Sequence, residues 1–279
     1  MHHESGAKNP LPHPFCEDTW SRKLKPAAQA LWHWHLHLAE AAASRGEGDD
    51  PIAFFEEEGV RAEAGEPLQL LPETVATEAY AVCREHNLPR TLLAEQVRAA
   101  SRFRTPIRFE TYAALLDFIQ GWAIAHGRLL ARLAGLRGSW QVRHVDELAK
   151  AFFLTGRLAF FAQDLARDRF FIPMDEMQQA GVSLEQLRAG KVDDALRRLL
   201  WKQVVRARDT FAQGQALVND LEGRQARGFK RWWLGGLEVL NEIERRNYDL
   251  WSHPFSVSPF QKTRVRIQAL MGRTSFRKG

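Results

Sequence analysis

Cysteine is scarce: Cys16 and Cys83 stand alone in 279 residues. Two so far apart form neither a disulfide framework nor a zinc ligand set, so a reducing, cytoplasmic setting is expected. Long apolar runs are missing too. The stretch from Leu115 to Leu133 is broken by Asp117, Gln120, His126, Arg128 and Arg132, which excludes a spanning helix of about 20 apolar residues. Residues 1–13 are polar, with no apolar stretch after a basic start, and read as a disordered tail rather than a secretory signal. The chain contains no Gly-rich phosphate loop, no G-x-S-x-G elbow, no H-E-x-x-H and no C-x-x-C. Nucleotide-phosphate, serine-hydrolase, zinc-protease and dithiol chemistries therefore have no motif to rest on. A net charge of +5 without a recognition motif is too mild to imply a nucleic-acid partner.

Apolar residues make up 45% of the chain, and they recur at spacings of three and four with no sustained strict alternation. This predicts an all-α protein, with enough length for a sizeable core. Helices are expected at about 26–44, 52–58, 73–86, 89–101, 109–135, 145–169, 192–222, 224–247 and 259–271. Interruptions are expected at 102–108, where Pro106 biases its neighbour away from helix, and at 170–173. The alternating Trp32-His33-Trp34-His35-Leu36-His37 looks strand-like, but the longer helical window around it decides.

The second half carries Arg169-Phe170-Phe171-Ile172-Pro173, then Met174-Asp175-Glu176-Met177 and Gly181-Val182-Ser183, with Leu154 and Thr155 upstream. Earlier come Arg108 to Tyr112, Leu115, Ala123 and His126-Gly127. Later come Arg206-Ala207 through Phe211 and Gly214, then Ile243 to Asp249. In order and spacing the set resembles the squalene/phytoene synthase family of head-to-head prenyl transferases, over about residues 14–271. The resemblance implies a single-domain, isoprenoid-synthase-type helical bundle around a central apolar cavity, with a short basic tail at 272–279. It also implies two facing aspartate-rich motifs that hold Mg²⁺ against the diphosphate of a prenyl substrate, because hard cations want carboxylate oxygens.

Those motifs are altered here. The first places Ala39, Glu40 and Ala43 where the family has acids, leaving Glu40 as the one metal ligand. The second, aligned without gaps from Arg169, places Phe153, Gly156, Phe160 and Asp164 at its positions, a mostly apolar stripe on one helix face. A four-residue deletion before Arg169 would instead make Asp164 and Asp168 an intact D-x-x-x-D pair. The same two acids also read as solvated charges at a helix end. His33, His37 and Glu40 lie at i, i+4 and i+7 and form a candidate metal trio, or simply pack against neighbours. Arg169 is the expected diphosphate contact, and Ala39, Ala43, Phe153, Gly156 and Phe160 are the expected cavity lining.

The leading expectation is a prenyl- or lipid-binding member whose metal-dependent ionising chemistry is weakened or lost. One alternative is an active Mg²⁺-dependent prenyl transferase using Glu40, His33 or His37, Asp164 and Asp168. Another is a non-catalytic protein that acts through a protein partner. The carboxyl end, with Lys262, Arg264, Arg266, Arg273, Arg277 and Lys278 and no acid after Gln261, is a candidate peripheral membrane contact.

Overall fold

In a computed structural model the chain is described over residues 20–43, 51–67, 69, 74–104, 106–252 and 258–270. The expected tails, 1–13 and 272–279, lie outside these residues. The described residues form helices α1 (Lys25–Ala43), α2 (Pro51–Ala64), α3 (Val75–Glu85), α4 (Thr91–Ala100), α5 (Tyr112–Ile119), α6 (Ala125–Leu133) and α7 (Ser139–Ala159). These are followed by α8 (Phe161–Ala166), α9 (Met174–Ala180), α10 (Leu184–Ala189), α11 (Asp194–Asp220), α12 (Gly223–Arg245) and α13 (Pro259–Leu270). The all-α expectation holds.

Local chemistry sets many of the boundaries. Thr74 and Thr111 start α3 and α5 by accepting the backbone N–H groups of Thr77 and Ala114. Ser183 and Gln186 form a reciprocal capping box on α10, and Asp193 accepts Leu196 N–H at 2.8 Å to start α11. Leu31, Trp34 and Leu38 are fully buried on one face of α1. Trp233, Phe211, Phe118 and Leu115 carry the same core through α12, α11 and α5.

Several expected boundaries move, and the helix expected at 52–58 runs on to Ala64. The segment expected as one helix over 109–135 begins at Tyr112 and contains a wide π-turn, Gln120–Ile124, between α5 and α6. Its Gly121 crosses close to α4: a Cβ there would lie 3.1 Å from both the Ala99 Cβ and the Glu95 carbonyl oxygen. The segment expected over 145–169 starts earlier, at Ser139, and breaks at Phe160 (φ −102°, ψ 18°), which separates α7 from α8. The short helices α9 and α10 follow the 170–173 interruption and were not expected; each spans fewer than two turns, too short for a periodic signal.

The 102–108 interruption is present. A 3₁₀ turn, Ser101–Arg104, leads into Pro106, and the extended chain after it runs beside the segment that follows α8. Ile107 N–H donates to the Asp168 carbonyl (3.2 Å), Phe170 N–H to the Ile107 carbonyl (2.9 Å), and Met174 N–H to the Phe109 carbonyl (2.9 Å). This lacing fixes the Arg169–Pro173 backbone against the bundle.

Candidate functional site

A cavity of about 1030 Å³ opens among α1, α6 with its π-turn, α7, α8 and α12. Its inner wall is apolar and buried, including Trp122, Leu130, Leu148, Phe153 and Trp232. Exposed side chains at Glu40, Gln163 and Arg167 mark its rim.

Helix α1 presents Trp32, His35, Ala39 and Glu40 to this cavity. His33 and His37 are not among the lining residues: His33 is exposed, and the His37 ring stands edge-on to Phe55 at 5.9 Å. A turn of 100° per residue explains this, since positions 33 and 37 are rotated away from the stripe through 32, 35 and 39. The expected trio with Glu40 is therefore not assembled. Opposite, α7 and the turn after it contribute Phe153, Gly156, Arg157 and Phe160. Ala43 closes α1, and its side chain lies outside the described residues.

Asp164 is buried on the cavity wall, and Arg157 Nη1 donates to both of its carboxylate oxygens at 3.0 Å. Burial raises the Asp164 pKa, opposed by the nearby Arg157, Arg169 and Arg167 charges. The Arg157 guanidinium also lies over Phe171 at 5.2 Å and Phe153 at 5.6 Å. Asp168 lies past the end of α8 in a left-handed conformation (φ 54°) and accepts from Arg188 at 2.8 Å and Arg108 at 3.4 Å. Asp164 and Asp168 thus share a cavity wall but not a helix face. Arg169 is buried, with its guanidinium 5.1 Å over Phe103, and burial lowers its pKa.

A magnesium cluster needs several free oxygen donors around each ion. Glu40, Asp164 and Asp168 are the acids lining the cavity, and the latter two are already held by arginines. Among the described residues, no three His, Cys, Asp or Glu side chains gather where they could hold a metal ion. The donors present do not fit such a cluster.

Sequence reasoning missed His35 and His126 as site residues. Their rings stack with centroids 4.3 Å apart, between Trp122 (4.0 Å from His35) and Trp32 (5.3 Å from His126). Burial pushes the His35 pKa down to about 4 and that of His126 well below the usual range, so both are uncharged near neutrality. The available signal was the density of histidine on α1 together with a lone His126 before Gly127, which spacing within a single helix does not connect.

The squalene/phytoene synthase family model matches residues 17–270. The chain belongs to that family. Phytoene synthase from Thermus thermophilus is 33% identical over 145 residues, covering 52% of this chain and 49% of that protein. Phytoene synthase 2 of Solanum lycopersicum is 34% identical over 109 residues, covering 39% of this chain and 35% of that protein. The chain thus matches half or less of the length of these curated relatives. Squalene synthase HpnC from Alicyclobacillus acidocaldarius superposes with a TM-score of 0.71 at 27% identity, over 82% of this chain and 86% of that one. A ligand-bound dehydrosqualene synthase gives 0.76 at 15% identity, over 90% and 88%, a likeness of fold.

Several of the residues that signalled the squalene/phytoene synthase family hold the scaffold together. Glu176, from the segment after Pro173, is buried; Gln203 donates to it at 2.8 Å, and Arg206 forms a close ion pair with it. Burial tends to raise the Glu176 pKa, but those hydrogen bonds from Arg206 and Gln203 outweigh it and leave the carboxyl below its usual range. The Arg206 guanidinium in turn sits 3.9 Å over the Tyr112 ring. Three separate stretches of the signature meet there, away from the cavity lining.

Proposed function

We propose that this family member binds a prenyl or lipid ligand in its helical cavity, while metal-dependent ionisation of a prenyl diphosphate is weakened or lost. The observation that carries the reading is Arg157 engaging both oxygens of Asp164 on a wall otherwise made of Phe153, Gly156 and Phe160. A buried carboxylate neutralised by an adjacent guanidinium offers a cation little net attraction, and ionising a diphosphate needs several such carboxylates acting together. The volume of about 1030 Å³ supports a ligand-holding role, being at the upper end of small-molecule sites. A cavity filled by Phe153, Phe160 and the tryptophans would instead have favoured a purely partner-binding protein. The Arg167 and Arg169 side chains suit an anionic head group at the same cavity. On α13, exposed Phe260, Ile267 and Leu270 beside Lys262 and Arg266 support a peripheral contact with an anionic bilayer. No helix among the described residues is long and apolar enough to cross one.

The test is incubation of the purified protein with farnesyl and geranylgeranyl diphosphate plus Mg²⁺, followed by extraction and chromatography. The reading expects no condensed hydrocarbon. Steady product formation that Asp164→Ala abolishes would establish instead the active transferase with an altered carboxylate set.

A further inference from the structure

Helix α13 carries apolar side chains on two opposite faces, and only one of them is used by the bundle. Gln261, Val265 and Ala269, at every fourth position, are buried. Phe260, Ile267 and Leu270 are instead 76%, 54% and 73% exposed. At 100° per residue these three fall within an arc of about 80°, directly across the helix from the buried row. A single exposed apolar side chain is ordinary, but three on one stripe mark a surface that something covers.

Charge indicates what covers it. Arg266 and Lys262 border the stripe on one side and Arg264 on the other, and all three are exposed. From Leu250 to Gly279 the chain has six Lys and Arg and no Asp or Glu. An apolar stripe edged by cations complements an anionic bilayer surface: the large side chains enter the acyl boundary while the Lys and Arg stems reach back to the head groups.

The helix is fixed in a definite orientation. Gln261 donates to Glu242 at 3.0 Å, and Arg264 pairs with Glu238 one turn further back, so α13 runs antiparallel to α12. Continued to Leu270, that register comes level with Trp232, which lines the cavity. Around α12, Glu238 and Glu242 lie about 130° from the cavity-lining Phe229 and Trp232. Thus α12 has α13 on one side and the cavity on the other.

We propose that the outer stripe of α13 docks this protein on an anionic bilayer, with α12 between the membrane and the cavity. The inference extends the bilayer contact in the reading above by assigning its face and orientation, and it stands apart from what the cavity holds.

The experiment measures binding to phosphatidylcholine vesicles with and without phosphatidylserine. The unsubstituted protein is expected to bind the anionic vesicles on the order of tenfold tighter. Lys262→Gln with Arg266→Gln should weaken anionic binding on the order of tenfold and leave neutral vesicles unaffected, whereas Ile267→Ser with Leu270→Ser should weaken both. All four positions are exposed, so far-ultraviolet circular dichroism is expected to stay unchanged. A fluorophore on Ile267→Cys, in a Cys16→Ser background, should be quenched by brominated lipid, and the same label on Glu78→Cys of α3 should not. Equal affinity for the two vesicle types, binding indifferent to either double variant, or quenching at Glu78→Cys alone would each overturn the docking face. A concentration-dependent dimer that Ile267→Ser with Leu270→Ser splits would overturn it too, assigning the stripe to a second copy of the chain. A protein that takes up geranylgeranyl diphosphate but ignores vesicles removes only the docking surface; one that docks but takes up no diphosphate sustains it and removes the cavity reading.

Discussion

At the residue scale the proposed loss of metal chemistry turns on Asp164. Its partner Arg157 sits one helix segment back across the Phe160 break, so the pair also clamps the α7–α8 corner. Removing one member leaves a partly buried unpaired charge, and Asp164→Ala is expected to cost about 3 kcal/mol in urea unfolding. A change below about 0.5 kcal/mol would mean that the carboxylate is not paired in solution. Near this site the histidines make stability depend on pH. Unfolded, His35 takes a proton near the ordinary value of 6.5; folded, it does so only at about 4. Between those values the unfolded state binds more protons, so stability falls as pH is lowered. From pH 7 to 5 the loss is expected to be about 2 kcal/mol for His35. Asp164, whose pKa burial raises, acts in the opposite direction. Urea midpoints should fall over that range, with a flatter slope when His35 and His126 are both phenylalanine; an unchanged slope would contradict the assignment. At this scale the sequence singled out Asp164 and Arg169, which lie on the cavity wall, but not the histidine pair. His33 and His37 carry the helical spacing, whereas His35 meets His126 only through the crossing of α1 with α6.

Helices lie where apolar periodicity and caps coincide, and irregularities where another element presses close. Gly214, one of the residues that carried the family resemblance, shows why: a Cβ there would come within 2.5–2.6 Å of the Leu148 side chain and 3.4 Å of the His144 carbonyl. It is the point where α11 lies against α7. Gly214→Ala is expected to destabilise by about 1–3 kcal/mol through overpacking, read as a lower Tm with unchanged far-ultraviolet circular dichroism at 20 °C. An unchanged Tm would show that the contact relaxes freely. The helices over 26–44, 192–222 and 224–247 were legible to within a few residues because their stripes are long. The π-turn at Gln120–Ile124, where Gly121 meets α4, and the break at Phe160 were not.

For the molecule as a whole, several parts of the sequence that announced the family hold the bundle: Tyr112, Glu176 and Arg206 clustered together, and Phe109 and Phe170 in the segments laced to each other. These contacts set how helices and connecting segments pack, and local and tertiary choices that agree in this way make a fold legible in sequence. The size of the cavity, and the capture of Asp164 by Arg157, depend on tertiary placement that spacing cannot supply. The most direct measurement is the affinity for a geranylgeranyl thiolodiphosphate, which resists ionisation, taken by tryptophan fluorescence with excess Mg²⁺ and again with EDTA. If arginines hold the head group and the carboxylates are spent on ion pairs, the two affinities agree within about threefold. Binding that weakens by a hundredfold or so when the metal is removed would contradict the account.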